Sequence, residues 1–344
     1  MPTMQGAQGT AGKPRGVWPA VALVFTAPLV AEYLLGDLPL KLLPALIVLA
    51  PMYGGGALLI RETVRRTGRG WPSILLLGMA YAILEEAFTT QSLFNQNYLH
   101  LNLGLLAPGY IPALGIGGWW TLWMLNVHAV WSISTPIALI EGCVPGRART
   151  PWLGRAGMAV VVLVFLIGVV STTLIGYHQD HFVASTGQFV GAAIAIVLLV
   201  CCAFALRPKQ ASERSGSAPS AWLLGALALA FASAALLIPM SWGWGSAGAL
   251  LALDAGMLAV VLAWSRRGRM QLRHQVALGA GAALAYGWHA FLQHPAVGAV
   301  STSVRVGNAI FLGGAVGLIW LAAKRTAAAE LDGAIGNTEF TRGE

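Results

Sequence analysis

The sequence predicts an all-α polytopic membrane protein of about ten transmembrane helices with both termini cytoplasmic, and three observations carry that prediction. The 344 residues are 57% hydrophobic and 10% charged, where soluble domains carry about 25% charged residues. Apolar runs recur that are each long enough to cross a hydrocarbon core of about 30 Å, which takes about 20 residues of helix. The basic residues gather in short clusters between alternate runs. Their net charge of +8 therefore reads as topology rather than as a nucleic-acid-binding face, which would need a basic surface on a folded domain.

The runs fall at 17–35, 41–61, 72–94, 118–140, 155–177, 183–206, 220–240, 246–264, 272–293 and 303–323. Helices are the expected form, because a membrane-spanning barrel would show alternating segments of about ten residues. With the N terminus inside, all but Lys41 and Arg305 of the 21 basic residues fall on the cytoplasmic side, as the positive-inside rule asks. The first run follows Lys13 and Arg15 but is long and lacks a small-residue cleavage site, so it reads as a retained helix rather than a signal peptide. Residues 99–117 are apolar, yet counting them as an eleventh span would reverse every later Arg cluster; they read as an interfacial or re-entrant segment. The polar, Ser- and Pro-rich stretch 207–219 reads as a cytoplasmic linker between a six-helix domain (17–206) and a four-helix domain (220–323). The tails 1–16 and 324–344 read as disordered and cytoplasmic. Cys143, Cys201 and Cys202 lack disulfide or metal spacing and read as packing residues. The setting expected is a bacterial plasma membrane, with lipid as the surrounding partner.

Ionisable groups inside spans are costly and mark candidate sites. Glu85 lies about 20 Å up the third span from its inner end, and His128 about 15 Å down the fourth from its outer end, so the two share a depth in the outer half. Gly78, Tyr81, Glu85, Thr89 and Ser92 form one helical stripe; Thr121, His128, Ser132 and Thr135 form the facing one. Adjacent Glu85 and Glu86 point about 100° apart, and the stripe favours Glu85. The outer junction HQDHFVAS adds His178, Asp180, His181 and Ser185. Glu32, Glu141, His100 and His294 read as interfacial residues near helix ends, and Asp254 and His289 as a pair. A packing network is the competing reading of Glu85, Glu86 and His128.

The order of Glu85-Glu86, then His128 one helix later, then His181 followed four residues on by Ser185, resembles the CPBP family of intramembrane glutamate proteases, which includes the CAAX prenyl endopeptidases and bacteriocin-processing or immunity proteins. The family's EExxxR, FxxxH and HxxxN/D motifs correspond to Glu85 through Thr90, Met124 through His128 and His181 through Ser185. Thr90, Met124 and Ser185 replace the family's Arg, Phe and Asn or Asp. The resemblance covers about residues 72–190 and implies a membrane-associated peptide or protein substrate. Glu85, assisted by Glu86, would activate water, His128 and His181 would stabilise the oxyanion, and Tyr81, Thr89 and Ser185 would support them. No cofactor is implied. Zn²⁺ held by His128, His178, His181 and a Glu is a weaker alternative, since imidazole and carboxylate suit that metal but no HExxH is present. A proton-coupled carrier is the rival function, suggested by Pro28, Pro51, Gly54 to Gly56 and Pro136 within spans and by acids in both halves, namely Glu32, Glu85 and Asp254. A non-catalytic structural or immunity protein is the third.

Overall fold

The computed structural model describes residues 16–206, 220–267 and 270–342. The expected linker 207–219 and the tail residues 1–15 lie outside the described residues. The chain folds into helices α1 (Trp18–Leu34), α2 (Leu40–Arg66), α3 (Trp71–Thr89), α4 (Gly118–Cys143), α5 (Arg155–Asp180), α6 (Thr186–Ala205), α7 (Ala221–Leu236), α8 (Trp244–Arg267), α9 (Leu272–His289) and α10 (Thr302–Arg342). Among the described residues, seven helices are long and apolar enough to cross a membrane, and α1 and α7 are apolar but shorter. Residues 99–117 form no spanning helix. They fold as turns and a two-stranded antiparallel ribbon pairing Tyr110–Ile111 with Ile116–Gly117.

Local chemistry sets the helix ends. Pro19 and Pro72 occupy first turns, where a missing N–H costs nothing. Ser185 caps α6, accepting from the Gln188 backbone N–H in a capping box. His181 adopts a left-handed conformation (φ 51°) that ends α5. At the other end of the chain, α10 runs on through Lys324 to Arg342, where a disordered tail was expected. The Ala-rich stretch after Arg325 has high helix propensity, and Glu330 pairs with Arg273 of α9 at 3.3 Å.

Helix α4 is the hub: it packs against α1, α2, α3, α8, α9 and α10, while α5 lies on α2, α6 on α3, and α7 on α9. Trp131 of α4 stacks on Tyr286 of α9 at 4.4 Å and donates its indole N–H to the Ala282 carbonyl at 2.9 Å, which fixes the two helices together. Cys143 is buried in the same region, whereas Cys201 and Cys202 are exposed on α6.

The ends of α2 and α4 meet in a buried ionic anchor. Glu141 accepts from Arg61 Nε at 3.0 Å and from Arg65 Nη2 at 2.6 Å; Glu62 accepts from Arg61 Nη1 at 2.6 Å and from Arg66 at 3.2 Å. Arg61 also donates to the Arg147 and Ala148 carbonyls and lies 3.5 Å from the Trp152 ring centroid, and Glu62 accepts from the Trp152 backbone N–H. Both carboxylates and Arg61 are fully buried. Glu141 is thus no interfacial residue: two guanidinium groups follow it inside, and a buried charge is tolerated when paired and hydrogen-bonded. Asp254 does not pair with His289 either. It accepts from Asn126 Nδ2 at 2.9 Å, tying α8 to α4, while His289 packs its ring against Trp288.

Candidate functional site

Among the described residues, four helices carry a π-helical segment, in which bonding shifts from i−4 to i−5: Leu29–Leu34 in α1, Ala50–Gly54 in α2, Glu85–Thr89 in α3 and Val127–Ser134 in α4. Pro28 adjoins the first, Pro51 lies in the second and Pro136 follows two residues after the last, each with a missing N–H that breaks the regular ladder. In the segment Glu85–Thr89, the Thr89 and Thr90 hydroxyls donate to the Glu85 carbonyl at 2.6 and 3.2 Å, beside the Thr90 backbone N–H at 2.9 Å. Such segments concentrate at functional sites, and these four present Glu32, Tyr53, Glu85, Glu86 and His128.

Glu85, Glu86 and His128 come together, at 2%, 6% and 2% exposure. His128 Nε2 lies 2.7 Å from Glu86 Oε1, and its Nδ1 lies 3.2 Å from Glu85 Oε2. Helices α3 and α4 approach closely enough for this because Gly78 faces Ala129: a Cβ at Gly78 would lie 3.0 Å from the Ala129 Cα.

The two carboxylates differ in their partners. Glu86 is held at both oxygens, since Oε2 accepts from Thr90 Oγ1 at 2.9 Å and from Ser92 Oγ, which in turn receives the Trp120 indole N–H at 3.1 Å. Thr90, standing where the resembled family has Arg, thereby supplies a neutral donor. Glu85 Oε2 makes only the off-axis charge contact with His128 and accepts no hydrogen bond among the described residues. Around the imidazole, Ser132 Oγ lies 3.3 Å from Nδ1, Tyr53 stacks at 6.1 Å between ring centroids, and Tyr81 meets it edge-on at 5.7 Å.

The remaining expected residues stand elsewhere. His181 and His178 are exposed at the end of α5, with both rings set against Tyr177. An HxxxS pair converges only when it is wound into a helix. Here His181 ends one helix and Ser185 caps the next, so neither joins the buried trio. Asp180 serves the connection instead, accepting from Asn95 Nδ2 at 2.7 Å and from the Leu99 backbone N–H at 3.0 Å. Thr89 supports the bulge, and Tyr81 borders His128. For a metal ion, the group that fits is Glu85, Glu86 and His128, whose ligand atoms lie within 4.8 Å of one another; the set His128, His178 and His181 does not assemble. To ligate, His128 would have to give up a carboxylate contact at one ring nitrogen.

Two residues of the site were not recognised in the sequence. Tyr53 carried no motif, and Glu32, assigned to an interface, receives the Tyr53 hydroxyl at 2.5 Å. The prolines at 28 and 51 were the available signal.

This is the architecture of a helical integral membrane protein with a buried carboxylate–imidazole centre. Residues 21–331 match the family described as "Uncharacterized membrane protein family", and the chain belongs to it. No curated protein and no solved structure matches the chain.

Proposed function

We propose that the chain is an intramembrane glutamate-type endopeptidase, similar in its centre to the CPBP family, acting on a membrane-associated peptide or protein. It crosses a bacterial plasma membrane ten times with both termini cytoplasmic. The observation supporting the chemistry is the unequal partnering of the carboxylates. Glu86, held at both oxygens, orients His128 through Nε2, and Glu85 keeps an oxygen without a hydrogen-bond donor beside Nδ1. Glu85 is the general base: it takes a proton from water as the water oxygen bonds to the substrate carbonyl carbon. The His128 ring offers positive charge next to the developing oxyanion. The proton on Glu85 then passes to the leaving nitrogen as the C–N bond breaks, which returns the carboxylate to its starting state.

Fragment proteomics of membrane and secreted peptides tests this reading in cells carrying wild type, Glu85→Gln or His128→Ala at matched protein levels. Loss of specific fragments in both variants is expected; identical profiles at equal expression rule the peptidase out. The broken helices α1 to α4 favour proton-coupled transport as the second reading. It predicts altered pH-dependent uptake in Glu85→Gln with no peptide cut, while a purely structural role predicts a fall in yield alone. Reporter fusions test the topology: cytoplasmic signal is expected after residue 68 and at the C terminus, and external signal near residues 100 and 180.

A further inference from the structure

The buried trio has one hydrogen-bonded side-chain extension toward the end of the first span. Tyr53, 8% exposed, stacks on His128 and donates to Glu32 Oε1 at 2.5 Å, and its hydroxyl, like that of Tyr81, lies near the Glu85 carboxylate. Glu32 is only partly buried. It sits in the last turn of α1, where its carbonyl accepts the backbone N–H groups of Asp37 and Leu38 at 3.1 and 3.2 Å. The titratable groups around its carboxylate are Tyr53, Tyr81, His128 and Glu86, with Tyr33, Asp37, Tyr98 and Tyr286 also within its field. A carboxylate that reaches the helix end, a phenol in the middle and a carboxylate inside are the parts of a proton relay, and ionisable chains of this kind mark proton paths within membranes.

We propose that Glu32 and Tyr53 form a proton-exchange route between the Glu85–Glu86–His128 centre and the water at the α1–α2 end of the bundle. Protonated Glu85 gives its proton to the Tyr53 oxygen as the Tyr53 hydroxyl proton moves to Glu32 Oε1. The phenol is unchanged, Glu85 is again a carboxylate and Glu32 is a carboxylic acid, which releases its proton to water past Asp37. The route runs equally in reverse. It does not depend on whether the centre hydrolyses a peptide bond or carries a solute.

The test is the exchange rate of the His128 ring N–H with solvent, measured by ¹⁵N-histidine NMR on the full chain in lipid nanodiscs, with the signal assigned by its loss in His128→Gln. Tyr53→Phe keeps the ring stack and removes the relaying hydroxyl, and Glu32→Gln removes the outer acceptor. Each should slow exchange about a hundredfold, the low end of what a positioned proton-transfer group contributes. Tyr286→Phe removes a buried hydroxyl that lies near Glu32 and Asp37 but has no hydrogen-bond partner among the described residues, and should leave the rate unchanged. Unchanged exchange in Tyr53→Phe or in Glu32→Gln overturns the route, as does equal slowing in Tyr286→Phe, which would report general tightening of the bundle. Should Tyr53→Phe fail to fold, Glu32→Gln decides alone by the same criterion.

Discussion

Helices α2, α3 and α4 carry two buried charged clusters of opposite design. At the anchor, Arg61, Arg65 and Arg66 face Glu62 and Glu141, and carbonyls, backbone N–H groups and the Trp152 ring fill the remaining valences. At the centre, two carboxylates share one imidazole, and Glu85 Oε2 has no hydrogen-bond partner among the described residues. A saturated network specifies how helices pack; an unsaturated one is held in place by its surroundings and keeps capacity for a ligand or a proton. The difference separates a structural use of buried charge from a chemical one within a single bundle.

Removing a charge should therefore cost stability at one cluster and activity at the other. Glu141→Ala strands Arg61 and Arg65 inside and should destabilise the protein by about 3–5 kcal/mol, read as loss of the monodisperse peak on heating in detergent. Arg61→Lys keeps the charge but leaves carbonyl and carboxylate acceptors short of donors; a loss of about 1–3 kcal/mol is expected. Glu85→Gln should keep stability within about 1 kcal/mol of wild type, or raise it, because functional sites trade stability for activity, while abolishing function. If Glu85→Gln destabilises as strongly as Glu141→Ala, the contrast between the clusters collapses.

The smallest effect concerns the loop beyond the centre. Burial, reinforced by the Glu32 charge and opposed by the Gln293 amide, pushes the Asp37 carboxyl up to about 7. A carboxyl whose pKa is raised on folding contributes stability that is present at low pH and lost as pH rises through the folded value. Melting temperature should therefore fall from about pH 5 to about pH 8, with a shallower slope in Asp37→Asn. An unchanged slope in that variant would assign the dependence to other groups.

Sequence patterning reached the helices and the meeting of Glu85, Glu86 and His128, because depth along a span and a shared helical face are both periodic quantities. It missed what periodicity does not encode. The π segments shift the register inside a span, so Glu32 and Tyr53 reach the centre although an unbroken helix gives no reason to connect them. Glu141 looked interfacial because its partners lie 80 and 76 residues earlier in the chain. His181 was joined to the centre only through the family resemblance; it lies exposed at the left-handed cap that ends α5.

A π segment holds one residue more than the α-helical turn it replaces, so each of the four bulges is in effect an inserted amino acid. Deleting Ala87 would return that stretch of α3 to regular bonding, with the turns on either side keeping their faces and only the residues of the bulge changing direction. The carboxylates would then part from Thr90 and Ser92 while the span kept nearly its full length. In an alignment of relatives, single-column gaps at 29–34, 50–54, 85–89 and 127–134 would sort members that keep this centre from those that have lost it, even where every carboxylate is retained.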